Sequence, residues 1–184
     1  MKPLNIGLCG FGGQGIILTS VILGTAQVTK KNRYVVQTQS YGSEARGGQC
    51  QAELIISDDP INSPMAEKKD ILIAMFQSAL NEYLPTLKDN GILIIDPNLV
   101  TDVPKTNARV IEVNATEIAT KLGNRVAANM VVLGFIQEST GLMEREDLID
   151  IVKDSVPEKF LELNLNAVDA GRELAGDKKI SVEG

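Results

Sequence analysis

Two short stretches hold the residues whose types and spacing could do chemistry. The first, Leu4 to Gly15, reads LNIGLCGFGGQG: a strand-like apolar run that enters a glycine-dense turn. Gly10, Gly12 and Gly15 fit the spacing G-x-G-x-x-G, with Gly13 and Gln14 between the last two. Such a turn at the start of a helix lets backbone N–H groups approach an anion, which the helix dipole also favours. The second, Tyr41 to Gly48, reads YGSEARGG. Arg46 is a planar donor suited to phosphate or carboxylate. Gly47 and Gly48 allow close backbone approach, and Tyr41 and Ser43 add hydroxyls. Together the stretches point to a phosphorylated or carboxylated ligand. Each also has a plainer reading, the first as a tight strand–helix turn, the second as a hairpin loop with a Glu44–Arg46 surface pair.

Charge placement favours an anion near the first stretch. Residues 1–43 contain no Asp or Glu, only Lys2, Lys30, Lys31 and Arg33, so all 24 acids lie from Glu44 onward. Chance patterning would also give this. The net charge of −6 argues against nucleic acid as a partner. A dinucleotide site would need an acid about 20 residues beyond the turn to hold a ribose hydroxyl. Gln37, Thr38 and Gln39 stand there instead, which disfavours NAD.

What the chain lacks is as telling. There is no histidine, and the two cysteines, Cys9 and Cys50, form no C-x-x-C. Imidazole acid–base chemistry, a thiolate cluster and a disulfide framework are therefore not expected within this chain, nor is a metal site. Met1–Pro3 is too short to be a signal peptide, and no apolar run reaches membrane-spanning length. A reducing cytoplasm is the expected setting.

The elements that must position these residues follow from the apolar pattern. Residues 4–9 read as a buried strand and 14–29 as a helix apolar around most of its girth. A single sheet face covers only one stripe of a helix, so part of this one is expected in an interface. Residues 33–39 and 49–57 read as strands flanking the YGSEARGG loop, the second alternating clearly. Four amides, Gln37, Gln39, Gln49 and Gln51, suggest a polar surface between them. Ile71–Met75 and Ile92–Ile95 are continuous apolar runs, as in parallel strands covered on both faces, with a helix over 77–88 between them.

Val110, Ile111 and Val113 mark a further strand after an irregular stretch from Pro97 to Ala108. Asn114 and Glu117 suggest a capping box for a helix over 115–122. Helices are expected over 126–140, 145–155 and 158–175. Asn129 lies in the first of these, an apolar helix that is also expected partly in an interface, and a buried amide there must find a partner, either a neighbouring loop backbone or a ligand. The order predicts an α/β fold, three-layer α/β/α and Rossmann-like, with a mixed, mostly parallel sheet and a helical C-terminal part. Residues 1–176 are expected to form one domain, with 177–184 a mobile tail. Strand order is not readable.

GFGGQG opening a helix, QSYGSEARGGQ entering an alternating strand, and NMVVLGF at Asn129 to Phe135 together resemble the gamma component of the 2-oxoacid:ferredoxin oxidoreductases. Phe135 stands where the family commonly has a small residue. The resemblance covers residues 4–175, and SYGSEARGG is closer to the 2-oxoglutarate branch. It implies a subunit of an oxidoreductase that converts a 2-oxoacid, coenzyme A and oxidised ferredoxin into acyl-CoA, carbon dioxide and reduced ferredoxin. Thiamine diphosphate, magnesium and iron–sulfur clusters would sit on alpha, beta and delta components, with ferredoxin reached through the complex. This chain would close the active site and help place coenzyme A through Gly10, Gly12, Gly13, Gln14, Gly15, Tyr41, Ser43, Arg46, Gly47, Gly48 and Asn129, and would be inactive alone. Exposed apolar surface would also allow the isolated chain to pair with a second copy. A free-standing nucleotide-binding protein and a scaffold that binds nothing are the alternatives.

Overall fold

The computed structural model describes residues 2–41 and 48–182. Six strands form one mixed sheet: β1 (Leu4–Phe11), β2 (Tyr34–Tyr41), β3 (Gln49–Ser57), β4 (Lys69–Ala74), β5 (Leu87–Ile95) and β6 (Arg109–Glu112). Their order is β2-β3-β1-β4-β5-β6. The alternating segment, β3, runs antiparallel to both neighbours, β1 and β2. The continuous apolar runs in β4 and β5 are parallel to each other and to β1. The helices are α1 (Ile16–Lys31), α2 (Gln77–Tyr83), α3 (Ala115–Lys121), α4 (Ala128–Thr140), α5 (Arg145–Ser155) and α6 (Leu161–Ala175).

Strand alternation divides the core in two. Ile6, Leu8, Leu54, Ile71 and Ile73 face a large core with α1, α3, α4, α5 and α6. Cys9, Leu72, Ala74, Leu93 and Ile95 face a smaller one closed by α2 and by Val100 from the irregular stretch. The result is the expected three-layer α/β/α arrangement, with most of its helices on one side.

Several boundaries differ from the sequence reading. The helix expected over 77–88 ends at Tyr83 and passes through a 3-10 turn, Leu84–Thr86, into β5. Pro85 lacks the N–H that another helical turn requires. The helices expected from 126 and 158 likewise begin with 3-10 turns, Arg125–Ala127 and Glu158–Phe160. The capping box at Asn114 and Glu117 does not form. Glu117 pairs with Lys121 at 2.6 Å, and the Thr116 N–H is taken at 2.7 Å by the buried carboxylate of Asp96, just beyond β5. The four amides do not share one surface. Gln37 and Gln39 stand opposite Leu54 and Ala52 on the α1 side, whereas Gln51 stands opposite Ser40 on the other face. Within residues 177–182, Ile180 is buried and its N–H donates to Ser139 O at 2.8 Å.

The interface expected at the apolar helices is also revised. Only Glu138 of α4 escapes burial, and the cover comes from α6, α3 and α1 of the same chain. On α1, Val21 and Val28 remain exposed. The α4–α6 approach is so close that a Cβ on Gly134 would overlap the carbonyl oxygen of Val168, and one on Gly171 that of Val131. Neither carbonyl belongs to a movable side chain, so Gly134→Ala and Gly171→Ala must each push the helices apart. Each should cost at least about 1–3 kcal/mol, read as a drop in the denaturation midpoint. An unchanged midpoint would show that the helices do not meet there.

A surface network binds the same region. Arg145 grips Asp169 with Nε and Nη2 at 2.9 and 2.7 Å, and Arg172 reaches Glu138 at 2.9 Å. The hydrogen bond from Arg145 holds the Asp169 carboxyl below its usual range, and those from Lys179 and Arg172 do the same for Glu138. Folded values below the unfolded ones give stability that is present above about pH 4 and is lost as pH falls through the folded values. Asp169→Asn should therefore lower the melting temperature at pH 7. Wild type and variant should converge in acid, as followed by thermal melts across pH.

Candidate functional site

The glycine turn stands at the carboxyl ends of the parallel strands, where β1 and β4 are neighbours. The chain leaves β1 through α1 toward one side of the sheet and leaves β4 through α2 toward the other. Such a switch point opens a crevice outside the strand ends and is where open α/β sheets bind ligands. The turn is shaped by its own residues. Gly13 and Gly15 have φ of +91° and +73°, backbone that side chains with a Cβ rarely adopt. The Gln14 side chain folds back into the turn. Its Oε1 accepts the Phe11 N–H at 2.6 Å, and its Nε2 donates to Met75 O at 2.8 Å, tying the end of β1 to the end of β4. Gly10 makes room for this, since a Cβ there would lie 2.6 Å from Gln14 Oε1 and 2.8 Å from Ile16 Cδ1.

Further bonds bring the two glycine stretches and α4 together. The Gly12 N–H donates to Gly48 O at 3.1 Å, so the start of the β3 arm leans on the turn. Asn129, buried at 4% exposure, donates Nδ2 to Gly15 O at 3.5 Å. A neighbouring loop backbone is thus the partner of this amide, and a Cβ on Gly15 would overlap it. The N–H groups of Gly12 and Gln14 are consumed within the chain, the latter by Phe11 O at 3.1 Å. Those of Gly13 and Gly15 have no acceptor among the described residues, and the Cβ direction of Gly13 is open space.

Tyr41 is exposed at the end of β2, two strands from the turn in the row Tyr41, Cys50, Gly10. That spacing is about 10 Å. Ser43, Arg46 and Gly47 lie outside the described residues.

A cleft of about 230 Å³ opens over the turn. Gly12, Gly13 and Gln14 form its floor, and Phe11, Met75, Phe76 and Leu99 give it an apolar wall. The Phe11 and Phe76 rings pack at 5.2 Å, tilted by 43°. Thr116, Arg125, Val126 and Ala128 close the α3–α4 side, and no acid among the described residues lines the cleft. The sequence reading missed Arg125, Phe76 and Thr116. Arg125 had a signal: it precedes an apolar helix, and no acid occurs between Glu117 and Glu138. Phe76 had one as well, directly after an apolar run read as a parallel strand.

Burial pushes the thiols of Cys9 and Cys50 up, and Tyr83 is pushed up to about 12 by burial and then by Glu82. Every described group whose pKa departs from its ordinary value moves away from neutrality, opposite to what a general acid or base requires. Cys9 and Cys50 face opposite sides of the sheet. No grouping of His, Cys, Asp or Glu among the described residues could hold a metal ion.

Residues 5–174 match the family described as pyruvate ferredoxin/flavodoxin oxidoreductase. The chain is 43% identical over 177 residues to the 2-oxoglutarate synthase subunit KorC of Methanothermobacter marburgensis, covering 92% of this chain and 95% of that one. The keto/oxoacid ferredoxin oxidoreductase gamma subunit from Geobacter sulfurreducens superposes with a TM-score of 0.83 at 38% identity, over 95% of this chain and 99% of that one. A 2-oxoglutarate:ferredoxin oxidoreductase from Magnetococcus marinus, solved with 2-oxoglutarate, coenzyme A and succinyl-CoA bound, shares the fold with a TM-score of 0.86. There the identity is 21%, over 96% of this chain and 32% of that one. The chain belongs to the pyruvate ferredoxin/flavodoxin oxidoreductase family.

The Gln14 tether is testable. Gln14→Glu keeps an acceptor for the Phe11 N–H but loses the donor to Met75 O and sets a carboxylate against that carbonyl. A loss of about 1–3 kcal/mol is expected in urea denaturation at pH 7. Equal stability would show that the side chain does not span the two strands.

Proposed function

We propose that this chain is the gamma subunit of a 2-oxoglutarate:ferredoxin oxidoreductase. In that reaction 2-oxoglutarate, coenzyme A and oxidised ferredoxin give succinyl-CoA, carbon dioxide and reduced ferredoxin. The observation that carries the substrate is the 43% identity to a 2-oxoglutarate synthase subunit across nearly the whole of both chains. Within the complex, this chain closes the active site and helps place coenzyme A. The support is a cleft at the sheet's switch point that, among the described residues, has no acid in its lining, has unengaged amides at Gly13 and Gly15 and has a cation at its rim. The phosphates of coenzyme A suit such a surface. The flanks of the Arg46 segment, Tyr41 and Gly48, stand at the same end of the sheet, so we assign Arg46 to the same ligand or to the oxoacid.

The redox and carbanion chemistry belongs to alpha, beta and delta-type partners. Thiamine diphosphate with its magnesium ion, and iron–sulfur clusters, supply that chemistry where they are bound. This chain's donor set does not fit them: it has two cysteines, on opposite sheet faces, and no histidine for a cluster, and no grouping of carboxylates among the described residues suits a magnesium ion. The isolated chain should give no turnover with 2-oxoglutarate, coenzyme A and a viologen dye, whereas the reassembled complex should prefer 2-oxoglutarate to pyruvate. Turnover by the pure single chain would overturn the subunit reading. In the complex, Arg46→Ala should raise KM for coenzyme A or the oxoacid by roughly 10- to 150-fold, the loss of a charge-assisted hydrogen bond. Arg46→Lys should recover part of this.

A further inference from the structure

We propose that Arg125 is a phosphate-binding residue of the cleft, holding a phosphate of the nucleotide end of coenzyme A; this rests on the coenzyme A reading above. The first argument is comparative. The structure describes five arginines. Arg33 bonds Asp58, Arg109 bonds Lys179 O, Arg145 bonds Asp169 and Arg172 bonds Glu138. Arg125, exposed at the cleft rim, has no hydrogen bond or ion pair among the described residues. The other described guanidinium groups make internal contacts, whereas this one lines the cleft.

The described surroundings give that cation no internal anion to find. No acid among the described residues lines the cleft, and the nearest acids in sequence, Glu117 and Glu138, are engaged by Lys121 and by Arg172 with Lys179. Across the floor lies Gly13, with an unengaged N–H and open space before it. Guanidinium donors and unengaged backbone amides lining one cleft suit a phosphate rather than a sugar or an aliphatic group.

Size limits what else the cleft takes. At about 230 Å³ it falls below the roughly 300–1,000 Å³ of pockets that enclose a drug-sized ligand. The apolar wall of Phe11, Phe76, Met75 and Leu99 can shelter one flat, uncharged portion beside the phosphate. The remainder of the ligand must be covered by partner chains, so this surface is half of a site.

The test uses the assembled enzyme with Arg125→Ala and Arg125→Lys, titrated with coenzyme A and with dephospho-coenzyme A, which lacks the 3′-phosphate. Arg125→Ala should raise KM for coenzyme A roughly 10- to 150-fold, with kcat at saturation and the melting temperature unchanged, and Arg125→Lys should recover part of the loss. A grip on the 3′-phosphate predicts that wild type prefers coenzyme A and that Arg125→Ala erases the preference. A grip on the diphosphate predicts equal loss with both substrates. An unmoved KM overturns the proposal. So does a variant that sheds partner chains on gel filtration while its assembled fraction keeps the wild-type KM, since Arg125 would then meet a partner's carboxylate. If KM for coenzyme A moves with Arg46→Ala but not with Arg125→Ala, this inference fails and the coenzyme A reading stands. If neither moves it, both fail.

Discussion

The contact on which the rest of the molecule hangs is the glycine-to-carbonyl crossing of α4 and α6. Gly134 meets Val168 O and Gly171 meets Val131 O, a reciprocal pair that lets two backbones touch with no side chain between them. That depth makes α4 an inner helix, buried along nearly its whole length between sheet and helices. It also sets where the front of α4 falls. Asn129 reaches the carbonyl of Gly15, and the 3-10 turn before α4 sets Arg125 at the cleft rim. Packing at the back of the molecule thus positions chemistry at its front.

The glycine turn shows how such a site differs from a free-standing nucleotide pocket. Its hydrogen-bonding capacity is spent largely on itself: Gln14 satisfies Phe11 and Met75, and Gly12 satisfies Gly48. These bonds make the turn rigid and join both glycine stretches to one surface. Only part of the loop is left open toward a ligand, and the cleft above it is small. A preorganised partial surface without poised acids or bases suits a chain that completes a site whose reactive groups are carried by other subunits.

Much of the fold was legible because burial imposes period. The continuous apolar runs at Ile71–Met75 and Ile92–Ile95 became parallel strands buried on both faces, and the alternation of Gln49–Ser57 became the antiparallel strand β3. The elements were recoverable; their ends were less so. Helix termini depend on who accepts the last bonds. Asp96, twenty residues away, took the Thr116 N–H that Asn114 and Glu117 were expected to manage locally. The α4 girth was read as surface awaiting a partner, but an apolar helix does not reveal whether its cover comes from another chain or from its own C-terminal helix.

By itself the sequence determined the class of fold, the acid-free first quarter, the lack of histidine and of any C-x-x-C, and the glycine spacing of the turn. All of these are properties of residue type and local order. Only the tertiary structure decided which amides remain open, because that depends on Gln14 folding back and on Gly48 arriving from another strand. It also decided that Gln37 and Gln51 face opposite sides, because pairing register assigns side chains to faces. And it decided that Arg125, unpaired among the described residues, lines the same cleft as the turn. Its isolation from acids is visible along the chain, but its nearness to Gly13, more than a hundred residues away, exists only once α4 has packed against α6.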